Sequence, residues 1–579
     1  MHLDALRTRS LPAAHLPVIR GIIDQLGIVD VLDAFCPRHP LSKVSDAECV
    51  VAMLLNILSG RVALWRMDKW LELLDVELVL GEGVEAGFFH DTRLGQTLDH
   101  LDEAGTDRIL GELVTRYLSR DGAASEYSVH LDTTSLSVYG VYDVDSELEL
   151  TFGFSKDKRP DLRQLVFGLS VHGSAGIPLT MSVSSGNTSD QASNRDHLAR
   201  LAKLLPEEDE ITIVADCKLV DADTLGQLSR SGFHVVSLVP KTFSLRETLI
   251  EKAWAMEADV DAWPVLAERP GEKKADPSRF YRGRSFQHVL PVNFGLDDEG
   301  QPVVSAETWR FLVVHSDQLA ARFERSLEDK LAREAEKTAK AHKAQLAKGF
   351  SCEADAAKAA ARLTRGLKLH RAEVAIHSEE RTQKRPRRGR PRNGEEAPTE
   401  TIWFADIALE PDTENLEVLR RQASCFVLIT DWMKDAWDDQ KVLAEYRHQS
   451  MVEGHTGFRW FKGPAGVAPI LLNNPERIRA LGLVMMLALM VRNHLQFTLR
   501  AQAKARGEGI PHPFRNKRPD MKLTTEMALE WFGGINVVFV SIDGQPWRRT
   551  MPELGIEALD LLEMLDLKPE IYARPPPRS

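Results

Sequence analysis

The sequence predicts an α/β protein of several domains: an all-helical N-terminal domain, then a mixed sheet with helices, the sheet interrupted by a long insertion. Three observations predict it: apolar residues at helical spacing from about Leu16 to Leu118, a switch to β-rich runs after Ser125, and a break in that pattern between Val239 and about Glu400. At 579 residues, 43% of them hydrophobic, the chain exceeds what one hydrophobic core organises. Its 73 basic and 85 acidic residues leave a net charge of −12, so contact with a polyanion must come from local basic patches. Cys36, Cys49, Cys217, Cys352 and Cys425 form no C-x-x-C pair and read as reduced packing residues. The first residues lack the basic-then-apolar pattern of an export signal. The strongest apolar run, Ala480 to Val491, falls short of the roughly 18 residues that a bilayer span requires, so a buried helix and a cytoplasmic protein without membrane contact are expected.

Val18, Ile22 and Leu26, and again Val50, Met53, Leu54, Ile57 and Leu58, repeat with the period of a helix. Ser45 and Glu48 have the spacing of a capping box. Gly81-Glu-Gly83 is not a phosphate loop, because Glu82 and Glu85 would repel phosphate and no lysine follows. After Ser125, the segments Tyr127 to Asp132, Leu136 to Tyr142, Leu165 to Val171 and Ile177 to Val183 read as short antiparallel strands. A helix near Gln191 to Leu205, a strand Ile211 to Ala215, a helix near Ala222 to Ser231 and a strand His234 to Val239 follow. Strands, helix, strand, helix, strand is the element order of an RNase H-like core.

Leu319 to Lys348 reads as a long charged helix and Glu353 to His370 as a second. The tract Arg381 to Arg392 holds seven basic residues and no acidic one. Runs at Thr401 to Leu409 and Cys425 to Thr430 return to β character, and helices are expected from about Gln440 onward.

A phosphodiester is attacked efficiently when two divalent ions hold the nucleophile and the leaving oxygen, and Mg²⁺ or Mn²⁺ favours carboxylate ligands. Asp132 follows one predicted strand and Asp216 ends another; in an RNase H-like sheet these strands, the first and fourth, lie side by side. A third carboxylate would come from a helix beyond the last core strand. An aspartate at a strand end is also an ordinary turn-former, and that plainer reading applies to each one taken alone.

Five ordered stretches carry a resemblance to a known family: His130-Leu-Asp-Thr-Thr-Ser-Leu-Ser137, Gly153 to Gln164, Gly186-Asn-Thr-Ser-Asp190, Ile213-Val-Ala-Asp216, and Tyr446-Arg-His-Gln-Ser-Met-Val-Glu453. Together they resemble the DDE transposases of bacterial insertion sequences, in the group whose core is interrupted before the catalytic glutamate and which carries a Tyr-x-x-Arg/Gln-x-x-x-Glu signature. The resemblance implies the triad Asp132, Asp216 and Glu453 as ligands of two Mg²⁺ or Mn²⁺ ions. The spacings are 216 − 132 = 84 and 453 − 216 = 237, the second long because of the insertion. On a continuous helix Tyr446, Gln449 and Glu453 would share one face.

This chain has Gln449 where many members have arginine, and the basic residue expected seven positions after the glutamate falls on Trp460, leaving Lys462 and Arg459 as rivals for that role. Tyr446, Gln449, Arg459 and Lys462 are therefore expected to contact DNA. Lys156, Lys158, Arg159 and Arg163 lie in a loop between core strands, suited to phosphate contacts, with a solvated hairpin as the plain alternative. Arg388-Gly-Arg390-Pro-Arg392 has the core of an AT-hook, against a plain linker. Asp143, Asp145 and Glu147 lack the glycine and terminal glutamate of a calcium loop.

The expected domains are 1–120 (helical, binding the DNA ends), 121–240 (core with two aspartates), 241–435 (insertion with the charged helix and basic tract), 436–505 (core with the glutamate helix) and 506–579 (a C-terminal segment suited to oligomerisation). The resemblance implies metal-dependent cleavage and strand transfer at terminal inverted repeats and target DNA, by a dimer that pairs the ends, in the bacterial cytoplasm at the nucleoid. The alternatives are an RNase H-fold nuclease without strand transfer, and a transposase-derived DNA-binding protein.

Overall fold

The computed structural model describes residues 6–120, 126–138, 148–152, 161–205, 210–271, 277–297, 299–345, 347–382, 399–449, 457, 460, 472, 474–542 and 545–578. A strand, β1 (Leu6–Pro12), precedes seven helices: α1 (Leu16–Gln25), α2 (Ile28–Phe35), α3 (Asp46–Leu55), α4 (Met67–Leu71), α5 (Val76–Leu80), α6 (Asp91–Ala104) and α7 (Thr106–Leu118). Val18, Ile22, Val50, Met53 and Leu54 are fully buried, as their helical spacing requires. The capping box forms: Ser45 Oγ accepts the Glu48 N–H and the Glu48 carboxylate accepts the Ser45 N–H.

The core elements are β2 (Glu126–Val138), β3 (Arg163–His172), β4 (Pro178–Ser185), α8 (Asp190–Leu204), β5 (Glu210–Ala215), α9 (Ala222–Arg230) and β6 (His234–Leu238). β2, β3 and β4 pair antiparallel, while β2, β5 and β6 run parallel. The spatial order β4-β3-β2-β5-β6, with a helix before β5 and another before β6, is that of an RNase H-like sheet. Two of the expected strands are one: β2 runs unbroken through Thr133, Thr134 and Ser135, each paired with β3. The two threonines are β-branched and favour extended chain, and a hydroxyl run that looked like a break is buried in the middle of the sheet.

The next elements are α10 (Ser244–Met256), β7 (Val265–Arg269), β8 (Arg279–Leu296), β9 (Pro302–Ser316), α11 (Asp317–Gln345), α12 (Glu353–Thr364), β10 (His370–Thr382), β11 (Thr399–Pro411), α13 (Thr413–Ser424) and β12 (Cys425–Thr430). β12 pairs antiparallel with β6 on one side and β9 on the other. The sheet therefore continues to nine strands, β4-β3-β2-β5-β6-β12-β9-β8-β7. The hairpin β10–β11 stands apart from it, packing Ala405 against Ala356 and Ala360 of α12 in a small core of its own. The second charged helix is shorter than read, ending at Thr364. The Glu334 carboxylate accepts the backbone N–H groups of Lys368, Leu369 and His370, which draws that stretch out of the helix and into β10.

The chain closes with α14 (Asp439–Arg447), α15 (Pro475–Arg506), β13 (Ile510–Pro511), β14 (Pro519–Asp520), α16 (Thr525–Leu529), β15 (Asn536–Ile542), β16 (Arg548–Thr550) and α17 (Ile556–Met564). The expectation of an all-helical N-terminal domain and a helical ending is corrected on one point: β15 pairs with β1 and with β16 in a three-stranded sheet. β1 is seven residues long and its partner lies at the other end of the chain, so no local pattern announces it. Further ties close the same unit, with the Tyr572 hydroxyl donating to the Ala14 carbonyl at 2.7 Å, Gln25 Nε2 to the Leu565 carbonyl at 2.9 Å, and Arg549 gripping Asp75.

By length and composition α15 passes for a membrane span, but 89% of its most apolar window is buried inside the protein. It lies between the N-terminal helices and the sheet. Gly482 packs so closely on Met181 that a Cβ there would sit 2.9 Å from its sulfur, and Arg477 and Arg479 make bidentate pairs with Asp99 and Asp102 of α6. Cys36, Cys49 and Cys425 are buried as expected of packing residues, whereas Cys352 is exposed.

Candidate active site

Alternation along the strands sets which way each carboxylate faces. Val129 and Leu131 of β2, and Ile211, Ile213 and Ala215 of β5, enter the large core shared with α8, α9 and α15, whereas Val214 points into a second core with Val442 and Leu443 of α14. Asp132 therefore lies on the α14 face. Asp216, extended at φ −71° and ψ −175°, follows Ala215 onto the same face. Leu131 stands opposite Ala215 in the parallel pair, so one further step sets Asp132 beside Asp216 on neighbouring strands, whose spacing is about 4.8 Å.

Both aspartates are half-buried. Asp132 Oδ1 accepts the Thr133 N–H at 2.7 Å, and Asp216 Oδ1 accepts the Lys218 N–H at 2.9 Å, capping the short turn Cys217–Leu219. Asp216 thus also plays the turn-forming role of a strand-end aspartate, whereas Asp132 sits within β2, which continues past it. Ser237 Oγ donates to the Asp216 carbonyl at 2.7 Å, which ties the end of β5 to β6. Two adjacent carboxylates without thiolates form a hard oxygen donor set, which fits Mg²⁺ or Mn²⁺ better than zinc. Among the described residues no group of three or more His, Cys, Asp or Glu side chains could hold a metal ion.

α14 begins under an Asp438 cap and ends at Arg447, with Gln449 N–H closing a tighter turn on the Tyr446 carbonyl at 3.0 Å. The expected single helix through Tyr446, Gln449 and Glu453 thus stops before Gln449, because that side chain is drawn onto the sheet. Gln449 is buried, donating from Nε2 to the Leu131 carbonyl at 2.9 Å and standing 3.2 Å from His130 Nδ1 through Oε1. Its amide is engaged by these two partners inside the protein. Tyr446 is half-buried in the core beneath α14, its ring 6.3 Å from Phe426. Arg163 is half-buried at the start of β3, opposite Val138. Trp460 is buried, with the Arg492 guanidinium 5.8 Å above its ring. Glu453, Lys156, Lys158, Arg159, Arg388, Arg390, Arg392, Arg459 and Lys462 lie outside the described residues, as do Asp143, Asp145 and Glu147.

A polar network beside the aspartates was not anticipated. His130, fully buried, stands 3.3 Å from Glu445 Oε1 through Nε2, and the Ser128 hydroxyl donates to the same carboxylate. Burial pushes Glu445 upward, but the hydrogen bonds from His130 and Ser128 and the charges of His130 and His448 outweigh it and hold the carboxyl below its ordinary value. The signal was present in the sequence: His130 is two residues before Asp132 and so shares its face, and Glu445 is four before Gln449.

Among the described residues burial also depresses five imidazoles: His15, His172 and His494 to about 4, His197 to about 3, and His315 in the same direction. Their folded values lie below the ordinary 6.5, so the stability they contribute is complete above pH 6.5 and is lost as pH falls toward 4. The expected result is an unfolding midpoint that drops steeply across that window, with up to about five protons taken up on unfolding. Thermal melts over a pH series check this, and a flat midpoint from pH 6.5 to 4 would contradict it.

A profile of a domain of unknown function (DUF4277) matches residues 7–115, the span of β1 and the seven N-terminal helices. No curated protein matches the sequence. Among solved structures, the piggyBac transposase synaptic complex with hairpin DNA is 7% identical and aligns over 91% of this chain and 82% of that one, at a TM-score of 0.35. The Mos1 pre-cleavage transpososome is 11% identical over 34% of this chain and 60% of that one, at a TM-score of 0.14. Both neighbours are transposases, but at these scores the likeness carries no argument. The class of the molecule follows from its own strand order: it is a protein with an RNase H-like core, extended to nine strands and fused to a helical N-terminal unit.

Proposed function

We propose that the chain is a DDE transposase, cutting and joining DNA at the ends of a mobile element. The observation that carries the reading is the placement of Asp132 and Asp216 side by side on one face of an RNase H-like sheet. Support also comes from Gln449, of the same signature stretch as Glu453, which is anchored to the backbone next to Asp132. Asp132, Asp216 and Glu453 would hold two divalent ions. Bound there, such ions would activate the attacking water or 3′-hydroxyl and stabilise the leaving oxygen.

In this reading Lys156, Lys158, Arg159 and Arg163 serve the DNA backbone near the carboxylates, Lys462 or Arg459 steadies the phosphate beside Glu453, and Arg388, Arg390 and Arg392 enter a minor groove. Two subunits pair the two ends. The test uses duplexes carrying the inverted repeats that flank the gene, a plasmid target and Mg²⁺. Cleavage at the repeat ends followed by joined products is expected. Cleavage without joining would leave an RNase H-fold nuclease, and binding without either would leave a DNA-binding protein.

A further inference from the structure

We propose that the loop of the β13–β14 hairpin, His512 to Arg518, is a contact surface for double-stranded DNA: Arg515 and Arg518 on the loop, and Lys522 just beyond it, hold backbone phosphates. The inference rests on the reading of the chain as a protein that acts on DNA, and it gives a DNA-binding surface to a segment whose sequence suggested only self-association. β13 and β14 pair antiparallel and are two residues each. The loop between them is closed by the His512 N–H on the Arg518 carbonyl at 3.1 Å and the Arg518 N–H on the Arg515 carbonyl at 3.0 Å. His512, only 3% exposed, accepts the Phe514 N–H at Nδ1 at 3.1 Å, and Trp531 Nε1 donates to the Pro511 carbonyl at 2.9 Å. Pro511, Pro513 and Pro519 restrict the backbone further. The loop is thus fixed from beneath, and its outward side chains are presented with little backbone freedom left to lose on binding.

In a chain of net charge −12, the stretch from Gly509 to Pro519 holds three basic residues and no acidic one. Arg515, Lys517, Arg518 and Lys522 are all exposed. Lys517 is taken up by Glu557 of α17 and stands 5.7 Å from the centre of the Trp531 ring. The carboxylate of Asp520 accepts the Lys522 N–H at 2.7 Å. Among the described residues no carboxylate pairs with Arg515, Arg518 or Lys522, whereas exposed arginines elsewhere are met by one, as Arg116 is by Glu112 and Arg420 by Glu324. Unneutralised cations this close together concentrate positive potential, and a DNA duplex offers a negative charge about every 1.7 Å of its axis. Two of the three are arginines, whose planar fork matches a phosphate with two parallel hydrogen bonds. Phe514, beside them and 70% exposed, offers an apolar face of the kind that packs against sugars and base edges in a groove. One aromatic ring is little for a lipid surface, where the apolar side of a whole amphipathic helix is ordinarily buried.

The experiment measures the full chain, wild type and with Arg515→Gln and Arg518→Gln together, on a fluorescent duplex of arbitrary sequence without metal, over a series of salt concentrations. Expected for the double variant are an unchanged thermal midpoint, affinity weaker by on the order of tenfold or more near physiological salt, and a slope of log affinity against log salt shallower by about two. Arg515→Lys with Arg518→Lys keeps both charges and is expected to keep the slope while binding more weakly than wild type. Lys522→Gln alone is expected to reduce the slope by about one, and should the loop variants not fold it is read by the same outcomes. If wild type binds no duplex, the DNA reading fails and the surface with it; if wild type binds and the glutamine variants match it in affinity and slope, the surface alone fails. Phosphatidylserine vesicles and sedimentation without DNA complete the test. A double variant that loses vesicle binding, or sediments as a smaller species, while keeping its duplex affinity would overturn the proposal and give the loop to a membrane or to a second copy of the chain.

Discussion

Asp132→Asn, Asp216→Asn and Glu453→Gln are each expected to abolish metal-dependent cleavage of end DNA while leaving DNA binding nearly intact. Metal ions supply several kcal/mol of transition-state stabilisation, and about 4 kcal/mol is a loss on the order of a thousandfold. Asparagine is the informative replacement at the two aspartates because it keeps an Oδ1 to accept the Thr133 and Lys218 N–H groups, so these backbone contacts survive and only the charge is lost. Without metal, the thermal midpoint should hold or rise, since one of two adjacent negative charges has gone. A drop in midpoint with cleavage retained would make these aspartates structural. Near-wild-type cutting by any one of the three variants would dismiss the triad.

A chain ending after Arg506 is expected to lose the cooperative fold of its N-terminal helices, even though it keeps all of them. The missing part includes Leu529, Phe532, Ile535, Val537, Leu561, Leu562, Met564, Leu565 and Tyr572, all buried in the core that α1 and α3 share. At about 1.5–3 kcal/mol for each large side chain, their removal is comparable with or larger than the roughly 5–15 kcal/mol by which a folded protein is stable. Denaturant unfolding and limited proteolysis of residues 6–118 would show it. A milder form of the test is Tyr572→Ala, expected to cost about 3–5 kcal/mol, as for other large aromatic truncations. A truncated chain that melts like the intact one would mean that the N-terminal helices do not need the segment after Arg506.

The sequence was most readable where structure is local. Helical spacing in the first 118 residues, the order of core strands and helices, and Asp216 at the end of its strand all follow from short-range patterns, and the structure has them. The pairing of β1 with β15 and the seat of β12 between β6 and β9 depend on partners hundreds of residues away, for which one sequence holds no signal. The burial of Gln449 was hidden for a related reason: a helix pattern that continues in sequence ends in space when a side chain finds better partners on a neighbouring strand. Asp132 looked like the close of a short strand because hydroxyl residues follow it, yet Thr133, Thr134 and Ser135 are buried with the strand continuing through them.

The seat of β12 also bears on how the molecule is assembled. β2 to β6 and β7 to β9 are each built from chain neighbours, and either group can pair within itself as soon as it is made. Neither can join the other until residues 425–430 have been synthesised and have slid between them. During that interval β6 and β9 each present a bare edge of Val- and Leu-rich strand, the kind of surface on which chains pair with one another. A six-residue segment that carries neither aspartate thus acts as the closing stitch of the sheet, and damage to it would be felt as poor yield and aggregation.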